Sequence, residues 1–323
     1  MNQPHKNFVI LISGPTGTGK SDFVLQLGKQ LPVEIVNADI GSFYTQLSIG
    51  TAKPDWKNEK TPHHFFDILD SPINYTAPQF REQLQVLIEE IWERGNIPVV
   101  VGGSAFYIQS FFYKNHELAT PSEELIDSLE EQPVETLWEQ LHAIDPARAA
   151  KIDRNDKYRV VRALAIWYTQ GQKPSEFEQQ FDPIAPFFCI MLTRDRDQLY
   201  EMINQRVELM LQAGWIDEVK ALIHDQSWVD FLCKKKMIGY NELIGYLQGH
   251  FCEQDFDEIK DLIKQRTRNY AKRQMTFLKK LASNIQKDQI NHPDKQIRLS
   301  HVESFNLTES DSLTLIERIN KKL

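Results

Sequence analysis

The sequence of 323 residues predicts an α/β protein whose core is a parallel β-sheet, with a helical insertion domain and a mostly helical C-terminal part. Short apolar runs rich in β-branched residues predict buried strands at residues 8–13, 33–37, 97–101 and 187–192. Helical patterns separate the first three runs, and strands that alternate with helices form parallel sheets covered on both faces. The length allows either about two domains of ~150 residues each or one core that carries an insertion.

The secondary-structure pattern divides the chain into four segments. Between residue 118 and about residue 186 the pattern shows only short, well-capped helices, such as one that begins after Asp156 and ends at Gly171. Further on, a long basic helix is predicted over about residues 255–281. The predicted segments are a first part of the core, a helical insertion, a second part of the core and a polar, loosely attached tail: residues 1–117, 118–185, 186–284 and 285–323.

Composition excludes several classes of protein. Hydrophobic residues make up 41% of the chain and charged residues 25%, values typical of a folded protein rather than a disordered one. No apolar run approaches the ~20 residues that cross a bilayer, and the first apolar stretch runs directly into a glycine motif. We therefore expect no signal peptide, no membrane segment and a cytoplasmic location. Three widely spaced cysteines predict neither a disulfide framework nor a zinc site: Cys189, Cys233 and Cys252.

The strongest motif is GPTGTGKS, which matches the phosphate-binding pattern GxxxxGK[ST] between a predicted strand and a predicted helix. Its glycines let backbone N–H groups wrap around an anion, and the helix N-terminus adds partial positive charge. We predict a P-loop NTPase-like core in which Lys20 reaches the outer phosphate and Ser21 holds Mg²⁺. The predicted diphosphate- or nucleotide-binding residues are Gly14, Pro15, Thr16, Gly17, Thr18, Gly19, Lys20 and Ser21.

A carboxylate and an arginine are the candidate catalytic groups outside this loop. Asp39 follows the second strand, at the sheet edge that faces ligands, where it is a general base, a Mg²⁺ ligand or a solvated loop residue. Arg206 lies beside an apolar helix stripe, where it either binds an anion such as a diphosphate or extends into solvent. For the adjacent His63 and His64 we favour packing or hydrogen bonding over metal binding.

Charge is distributed unevenly along the chain. The net charge of −8 argues weakly against nucleic-acid binding, but residues 260–280 carry eight Lys/Arg and one acid. Residues 148–162 carry six Lys/Arg and two acids, and a third basic cluster lies at residues 234–240. Because screening confines such fields to about 8–10 Å, the local clusters matter more than the net charge. A solvated helix face explains any single cluster, but three clusters in a phosphate-binding protein favour RNA or DNA.

Taken in order, several segments resemble the tRNA dimethylallyltransferase family, the isopentenyltransferases of bacterial tRNA modification. The matching segments are GPTGTGKS, residues 39–44, IGTAKP, PHHFFDILD, VGGSAFYI, NDKYRVVRAL, INQRVELML, AGWIDEV, IGY and TRNYAKRQMTF. The phosphate loop alone is unspecific, whereas the ordered set is highly specific. The chain departs from the usual pattern at Ile40 and Ser42, where the family has Ser and Gln, and at Phe277, where it has Trp.

The resemblance implies transfer of a dimethylallyl group from dimethylallyl diphosphate to N6 of the adenosine 3′-adjacent to the anticodon, giving N6-isopentenyladenosine and diphosphate. It implies Mg²⁺ and an insertion that grips the anticodon stem of tRNA, and we expect a monomer. By position, the implied catalytic residues are the base Asp39 and the diphosphate ligands Thr16 and Arg206. The implied tRNA contacts are Asp39, Ile40, Gly41, Ser42, Ser104, Tyr158, Arg159, Arg162, Lys235, Lys236, Gly239, Tyr240, Arg266, Arg268, Lys272 and Arg273.

Two other functions stay open at the level of sequence. A kinase of a small metabolite or nucleotide would use the same loop, with Arg159 and Arg162 clamping phosphates. The third strand ends in VVVGGS, without the acidic Mg²⁺ ligand that kinases usually place at a later strand end, and this argues against that function. A nucleotide-regulated RNA-binding protein would instead bind tRNA tightly and yield no modified product.

Overall fold

A computed structural model describes residues 7–114, 121–177, 179–249, 256–291 and 300–322 of the chain. Two compact units are present, one formed by Met1–Phe112 with Pro183–Leu323 and the other by Tyr113–Asp182. The second unit corresponds to the predicted insertion, with both of its ends a few residues earlier. The predicted boundary at 117–118 lies outside the described residues, as does Cys252.

The main unit is built on one parallel β-sheet. The strands of the described residues, in chain order and including β5 and β6 of the second unit, are β1 (Val9–Ser13), β2 (Val33–Asn37), β3 (His63–His64), β4 (Ile97–Gly102), β5 (Tyr113–Lys114), β6 (Gln180–Phe181), β7 (Phe187–Thr193) and β8 (His301–Asn306). The parallel sheet has the order β3-β2-β4-β1-β7-β8. Its four central strands are the four predicted from apolar runs, and they are buried on both faces, as parallel sheets are.

Helices cover this sheet and form most of the second unit. In chain order they are α1 (Lys20–Gly28), α2 (Ala77–Glu93), α3 (Ala105–Phe112), α4 (Glu123–Glu130), α5 (Val134–Ile144), α6 (Pro146–Ala149), α7 (Lys157–Gln170), α8 (Arg196–Gln212), α9 (Trp215–Leu222), α10 (Gln226–Lys235), α11 (Tyr240–Leu247), α12 (Phe256–Asn291) and α13 (Ser312–Lys322). The long basic helix α12 continues ten residues beyond its predicted end near residue 281. Within the described residues, no helix combines the length and apolarity that crossing a bilayer requires.

The strand register brings several loops to one edge of the sheet. Ser13 of β1 pairs with Gly102 of β4, and Asn37 of β2 pairs with Val101 of β4. Since the strands are parallel, the residues that follow β1, β2 and β4 meet at the carboxyl edge, which is where open α/β sheets bind ligands.

The prediction that residues 285–323 form a loosely attached tail is wrong. β8 pairs in parallel with β7 along its whole length. Helix α13 adds three fully buried side chains to the main core: Leu315, Ile316 and Ile319. In β8 only Val302 and Phe305 are buried, so this edge strand lacks the apolar run that marks the central strands.

The second unit has a small core of its own. Helices α4 and α5 pack against α7, helix α6 packs against α5, and the buried apolar residues include Leu137, Leu141, Val160 and Leu164. Helix α7 begins and ends as predicted, because the Asp156 side chain accepts a hydrogen bond from the Arg159 amide and Gly171 ends the helix in a left-handed conformation. The antiparallel pair of β5 and β6, which the helical pattern did not predict, belongs to this unit.

A buried carboxylate joins β2 to its surroundings at the opposite end of the strand from the ligand edge. Glu34 accepts hydrogen bonds from Arg94 (2.8 Å), Asn96 (2.8 Å) and His64 (2.6 Å). Burial alone raises the pKa of Glu34, but these hydrogen bonds outweigh it and lower the pKa to about 2. The folded state is therefore stabilised by the ionised carboxylate.

We expect Glu34→Gln to lower the free energy of unfolding at pH 7 by about 3 kcal/mol, because a pKa lowered from 4.5 to about 2 measures how strongly the fold favours the ionised carboxylate over a neutral group. The contribution of Glu34 is fully present above its ordinary pKa of 4.5 and is lost as pH falls towards about 2. Urea unfolding at a series of pH values should thus show a smaller acid loss in the variant. The exposed Glu89→Gln is the control, and an equal acid loss in Glu34→Gln and wild type would contradict the prediction.

Candidate active site

The phosphate loop joins β1 to α1 in the form that the sequence predicts. Gly17 and Gly19 have φ values of 82° and 91°, a conformation that other residues rarely adopt. Gly14 has no room for a side chain, since a Cβ there would lie 2.5 Å from the Leu192 carbonyl oxygen. The loop is closely packed, and the N-terminus of α1 provides the partial positive charge that favours a bound anion.

Lys20 folds back into this loop. Its buried ammonium donates hydrogen bonds to the carbonyl oxygens of Gly14 (3.0 Å) and Pro15 (3.1 Å). Burial lowers the pKa of Lys20, the charge of Asp39 opposes this effect, and the charge of Arg206 adds to it. A buried ammonium bonded to neutral carbonyls is stabilised by an anionic ligand, so phosphate oxygens are suitable partners.

Asp39 is held firmly at the end of β2. Its Oδ1 accepts hydrogen bonds from the Gly103 amide (2.6 Å) and the Ser104 hydroxyl (3.3 Å). The Asn37 side chain accepts from the Asp39 amide at 3.0 Å and donates to the Asp39 carbonyl at 3.1 Å. This geometry excludes a freely solvated loop residue. No group in the described part of the chain donates to Oδ2, so this oxygen is available to a substrate.

Arg206 turns inward from α8, which excludes the alternative that its side chain extends into solvent. Its Nη1 donates to the Thr16 hydroxyl (3.1 Å), and its Nη2 donates to the Thr51 carbonyl (3.1 Å). Burial lowers the pKa of Arg206, while the charges of Asp39 and Asp22 raise it. The guanidinium therefore lies beside the phosphate loop and within electrostatic range of Asp39.

Glu218 of α9 supports the loop that holds Arg206. Its carboxylate accepts hydrogen bonds from the Tyr240 hydroxyl (2.7 Å) and from three successive backbone amides: Ser48, Ile49 and Gly50. These bonds fix the backbone just before Thr51, whose carbonyl binds Arg206. Glu218 lies in the AGWIDEV segment but is not among the predicted site residues. The local sequence does not indicate which backbone amides a helical glutamate will reach.

Gly239 and Tyr240, two of the implied tRNA contacts, lie inside this supporting structure. A Cβ at Gly239 would lie 1.8 Å from the ring of Trp215, so only glycine fits there. Tyr240 is 1% exposed and its hydroxyl binds Glu218. The structure thus places the Tyr240 side chain where it stabilises the site from within, and not on a surface that RNA could contact.

Helix α12 contributes Gln274 to the site, a residue that is also absent from the predicted site residues. Its buried side chain accepts from the Thr16 amide (2.9 Å) and donates to the Gly103 carbonyl (2.8 Å), so it joins the phosphate loop to the loop that holds Asp39. One turn earlier, burial and the charge of Asp39 raise the pKa of Tyr270 to about 12. The signal in the sequence that could have identified Gln274 was its i, i+4 spacing from Tyr270, which places two uncharged residues on one face of the basic helix α12.

The remaining tRNA contacts implied on the main unit differ in their surroundings. Arg266 forms an ion pair with the buried Glu242, and Arg268 donates to the Asn204 side chain at 2.6 Å. Both therefore have roles inside the fold. Four others have exposed side chains and can reach a ligand directly: Lys235, Lys236, Lys272 and Arg273.

The turn after Asp39 contains the next group of implied contacts. Residues Ile40–Phe43 form a short 3₁₀ helix, in which Ile40 and Gly41 are partly exposed and Ser42 is buried. The Ile40 amide donates to the Ser104 hydroxyl at 3.1 Å. Ser42 and Ser104 therefore act mainly in shaping this turn.

The second unit presents its implied contacts on the outer face of α7. Tyr158 is 72% exposed, and the side chain of Arg159 is 63% exposed with an ion pair to Asp156 at 3.2 Å. Arg162 is exposed one turn further on. The unit thus carries a basic surface with an exposed aromatic ring.

The adjacent histidines have the hydrogen-bonding role that the sequence favours. The ring of His63 bonds to the Thr61 carbonyl (2.7 Å), and the ring of His64 bonds to Glu34 (2.6 Å). No cluster of three or more His, Cys, Asp or Glu able to hold a metal occurs among the described residues.

Similarity to known proteins identifies the family of this chain. The family model described as IPP transferase matches residues 42–281. The chain belongs to the IPP transferase family. A tRNA dimethylallyltransferase of Thermotoga petrophila is 33% identical over 308 residues, which are 93% of this chain and 99% of the relative. The tRNA dimethylallyltransferase 1 of Citrifermentans bemidjiense is 39% identical over 276 residues, which are 84% of this chain and 89% of the relative.

Solved structures give the same result. A tRNA isopentenylpyrophosphate transferase from Bacillus halodurans aligns with a TM-score of 0.65 and 31% identity, covering 98% of this chain and 97% of the other. A eukaryotic dimethylallyltransferase acting on tRNA aligns with a TM-score of 0.76 and 28% identity, covering 97% of this chain and 79% of the other. The predicted family and α/β fold are confirmed, and these matches support the transferase and not the kinase alternative.

We expect Gln274→Ala to weaken the binding of inorganic diphosphate by about 5- to 100-fold, because two hydrogen bonds that order the loops, each of about 0.5–1.5 kcal/mol, are lost. Isothermal titration calorimetry measures this affinity directly. Gln265→Ala, at an exposed position of the same helix, is the control. Equal affinities in Gln274→Ala and wild type would show that the bridge does not organise the loop.

Proposed function

We propose that the chain transfers the dimethylallyl group of dimethylallyl diphosphate to N6 of the adenosine 3′-adjacent to the anticodon of tRNAs. The observation that carries this proposal is the position of Asp39, which is fixed by the Gly103 amide and lies within electrostatic range of Lys20 and Arg206. A base and a diphosphate site at one sheet edge suit transfer from a diphosphate to a nucleophile. The names of the relatives support tRNA as the acceptor.

Stabilisation of the leaving diphosphate is the first task of the site. The C1–O bond of the donor breaks, and its electron pair leaves with the diphosphate. Lys20, Arg206 and the amides of the phosphate loop surround the place where this charge grows, and preorganised positive groups stabilise such a transition state. The Thr16 hydroxyl, which accepts a hydrogen bond from Arg206, would join them.

Activation of the amine is the second task. The exocyclic amine of adenine is a weak nucleophile, because its lone pair is delocalised into the ring. As the N6–C1 bond forms, N6 loses a proton to Oδ2 of Asp39, while the bonds from Gly103 and Ser104 to Oδ1 keep the carboxylate in place. General-base catalysis of this kind contributes typically about 10²–10⁴ in rate.

The donor set of the site fits Mg²⁺ with the diphosphate as its main ligand. Mg²⁺ commonly binds substrate phosphates and water together with only one or two protein groups. Ser21 is exposed on the first turn of α1, directly after Lys20, and we assign its hydroxyl as the protein ligand. When bound, the ion would neutralise charge on the departing diphosphate.

The exposed basic residues are proposed to bind the anticodon stem–loop. The target adenosine must leave the stacked loop to reach Asp39, as in other enzymes that modify a base. Arg273 and Lys272 on α12, and Arg159 and Arg162 on α7, supply positive charge for the RNA backbone. A monomer is proposed as the active form.

Mass spectrometry of the RNA product tests the function directly. Unmodified tRNA with adenosine after its anticodon is incubated with the protein, Mg²⁺ and dimethylallyl diphosphate, and a parallel reaction contains ATP in place of the prenyl donor. We expect a C5H8 mass gain on that adenosine in the first reaction only. Turnover of ATP without any gain in RNA mass would overturn the proposal.

We expect Asp39→Asn to lower the single-turnover rate by about 10²–10⁴, because the amide keeps the shape of the carboxylate but accepts no proton. The tRNA affinity, measured by fluorescence anisotropy, should change little. Asp217→Asn is the matched control, since its side chain is 79% exposed on α9. A rate for Asp39→Asn within about twofold of wild type, with binding intact, would remove Asp39 from the role of base.

A further inference from the structure

An exposed phenylalanine lies at the rim of the site and is not used by the mechanism above. Phe106, on the first turn of α3, is 69% exposed, and no other phenylalanine in the described part of the chain is mostly exposed. Its ring contacts Phe277 of α12, with centroids 5.6 Å apart and an interplanar angle of 65°. The two rings meet edge to face, so one ring supports the other while Phe106 keeps a large area open to solvent.

The position of this pair relative to Asp39 follows from the hydrogen bonds around it. Phe106 comes two residues after Ser104, whose hydroxyl is 3.3 Å from Asp39 Oδ1. Phe277 comes three residues after Gln274, which binds the Gly103 carbonyl, and three residues span about 4.5 Å along a helix. The aromatic pair is therefore about one helical turn away from the groups that hold the base.

The charge around the pair is positive. Arg273, Phe277 and Lys280 are spaced at i, i+4 and i+7 on α12, which places them on one face of the helix, and both cations are exposed. Helix α3 carries no acidic residue. An exposed ring whose aromatic partner Phe277 lies between two exposed cations suits a nucleotide, whose base stacks on the ring while its phosphate meets the positive charge.

We propose that Phe106, supported by Phe277, is a stacking platform for the base of a nucleotide next to the target adenosine. This inference rests on the proposed function and adds a binding subsite to it. Once the target leaves the stack, its neighbour loses a stacking partner, and an aromatic side chain at the rim replaces that partner. The prenyl chain is a less suitable occupant, because C1 must lie between the diphosphate loop and Asp39, away from this exposed ring.

The test uses an anticodon stem–loop RNA and two derivatives, each with an abasic nucleotide on one side of the target adenosine. Dissociation constants and kcat/KM are measured for wild type, Phe106→Ala and Phe106→Trp. Stacking on one aromatic residue contributes about 1–3 kcal/mol, so Phe106→Ala should weaken binding of the intact RNA by about 5- to 100-fold. Phe106→Trp should keep the wild-type affinity, and Val86→Ala, at a position 59% exposed on α2, is the control.

The abasic RNAs identify the occupant. Wild type should bind one of the abasic RNAs more weakly than intact RNA, by the same factor by which Phe106→Ala weakens binding of intact RNA. On that abasic RNA, Phe106→Ala should bind no more than about twofold more weakly than wild type. Equal effects of Phe106→Ala on intact RNA and on both abasic RNAs would overturn the platform. A rise in the KM of dimethylallyl diphosphate alone would assign Phe106 to the donor and also overturn it. RNA that binds in this pattern without forming product would contradict the proposed function and leave the platform supported.

Discussion

The close approach of three strand ends at the carboxyl edge of the sheet is the constraint on which the site depends. At two positions a Cβ would lie only 2.4–2.5 Å from the backbone of a neighbouring segment, so glycine is required: Gly14, which meets the Leu192 carbonyl, and Gly102, which meets Ala38. Since the backbones touch there, Lys20 from one loop and Asp39 from another come within electrostatic range although they belong to different strands. A side chain at either of these glycines would push the neighbouring backbones apart and separate Lys20 from Asp39.

The balance of charge at this edge explains why a diphosphate suits it. Burial lowers the pKa of both Lys20 and Arg206, and the charge of Asp39 only partly opposes this effect. The site therefore holds two cations at a cost in solvation that an anionic ligand removes. In the proposed reaction substrate and product both contain the diphosphate, so Lys20 and Arg206 would raise the rate by stabilising the charge that grows on the departing oxygen.

The sequence predicts the parts of this structure that are encoded locally. The central strands follow from continuous apolar runs, and the phosphate loop follows from its glycine spacing. β8 was missed because a partly buried edge strand needs only Val302 and Phe305 to face the core, and its partner β7 lies more than a hundred residues earlier. Gln274 and Glu218 were missed for a related reason, since helical periodicity indicates which face is buried but not which distant amide a polar side chain will reach.

The turn after Asp39 shows how this carboxylate stays in place although Ile40 and Ser42 depart from the family pattern. The Ile40 amide donates to the Ser104 hydroxyl, and the Ser42 amide donates to the Asp39 carbonyl at 3.1 Å. The Ser42 carbonyl in turn accepts from the Asp67 amide at 3.1 Å. All of these bonds use the backbone of residues 40 and 42, so other side chains that fit can stand there without moving the carboxylate. The position of Asp39 therefore does not depend on which side chains stand at residues 40 and 42, because backbone contacts determine it.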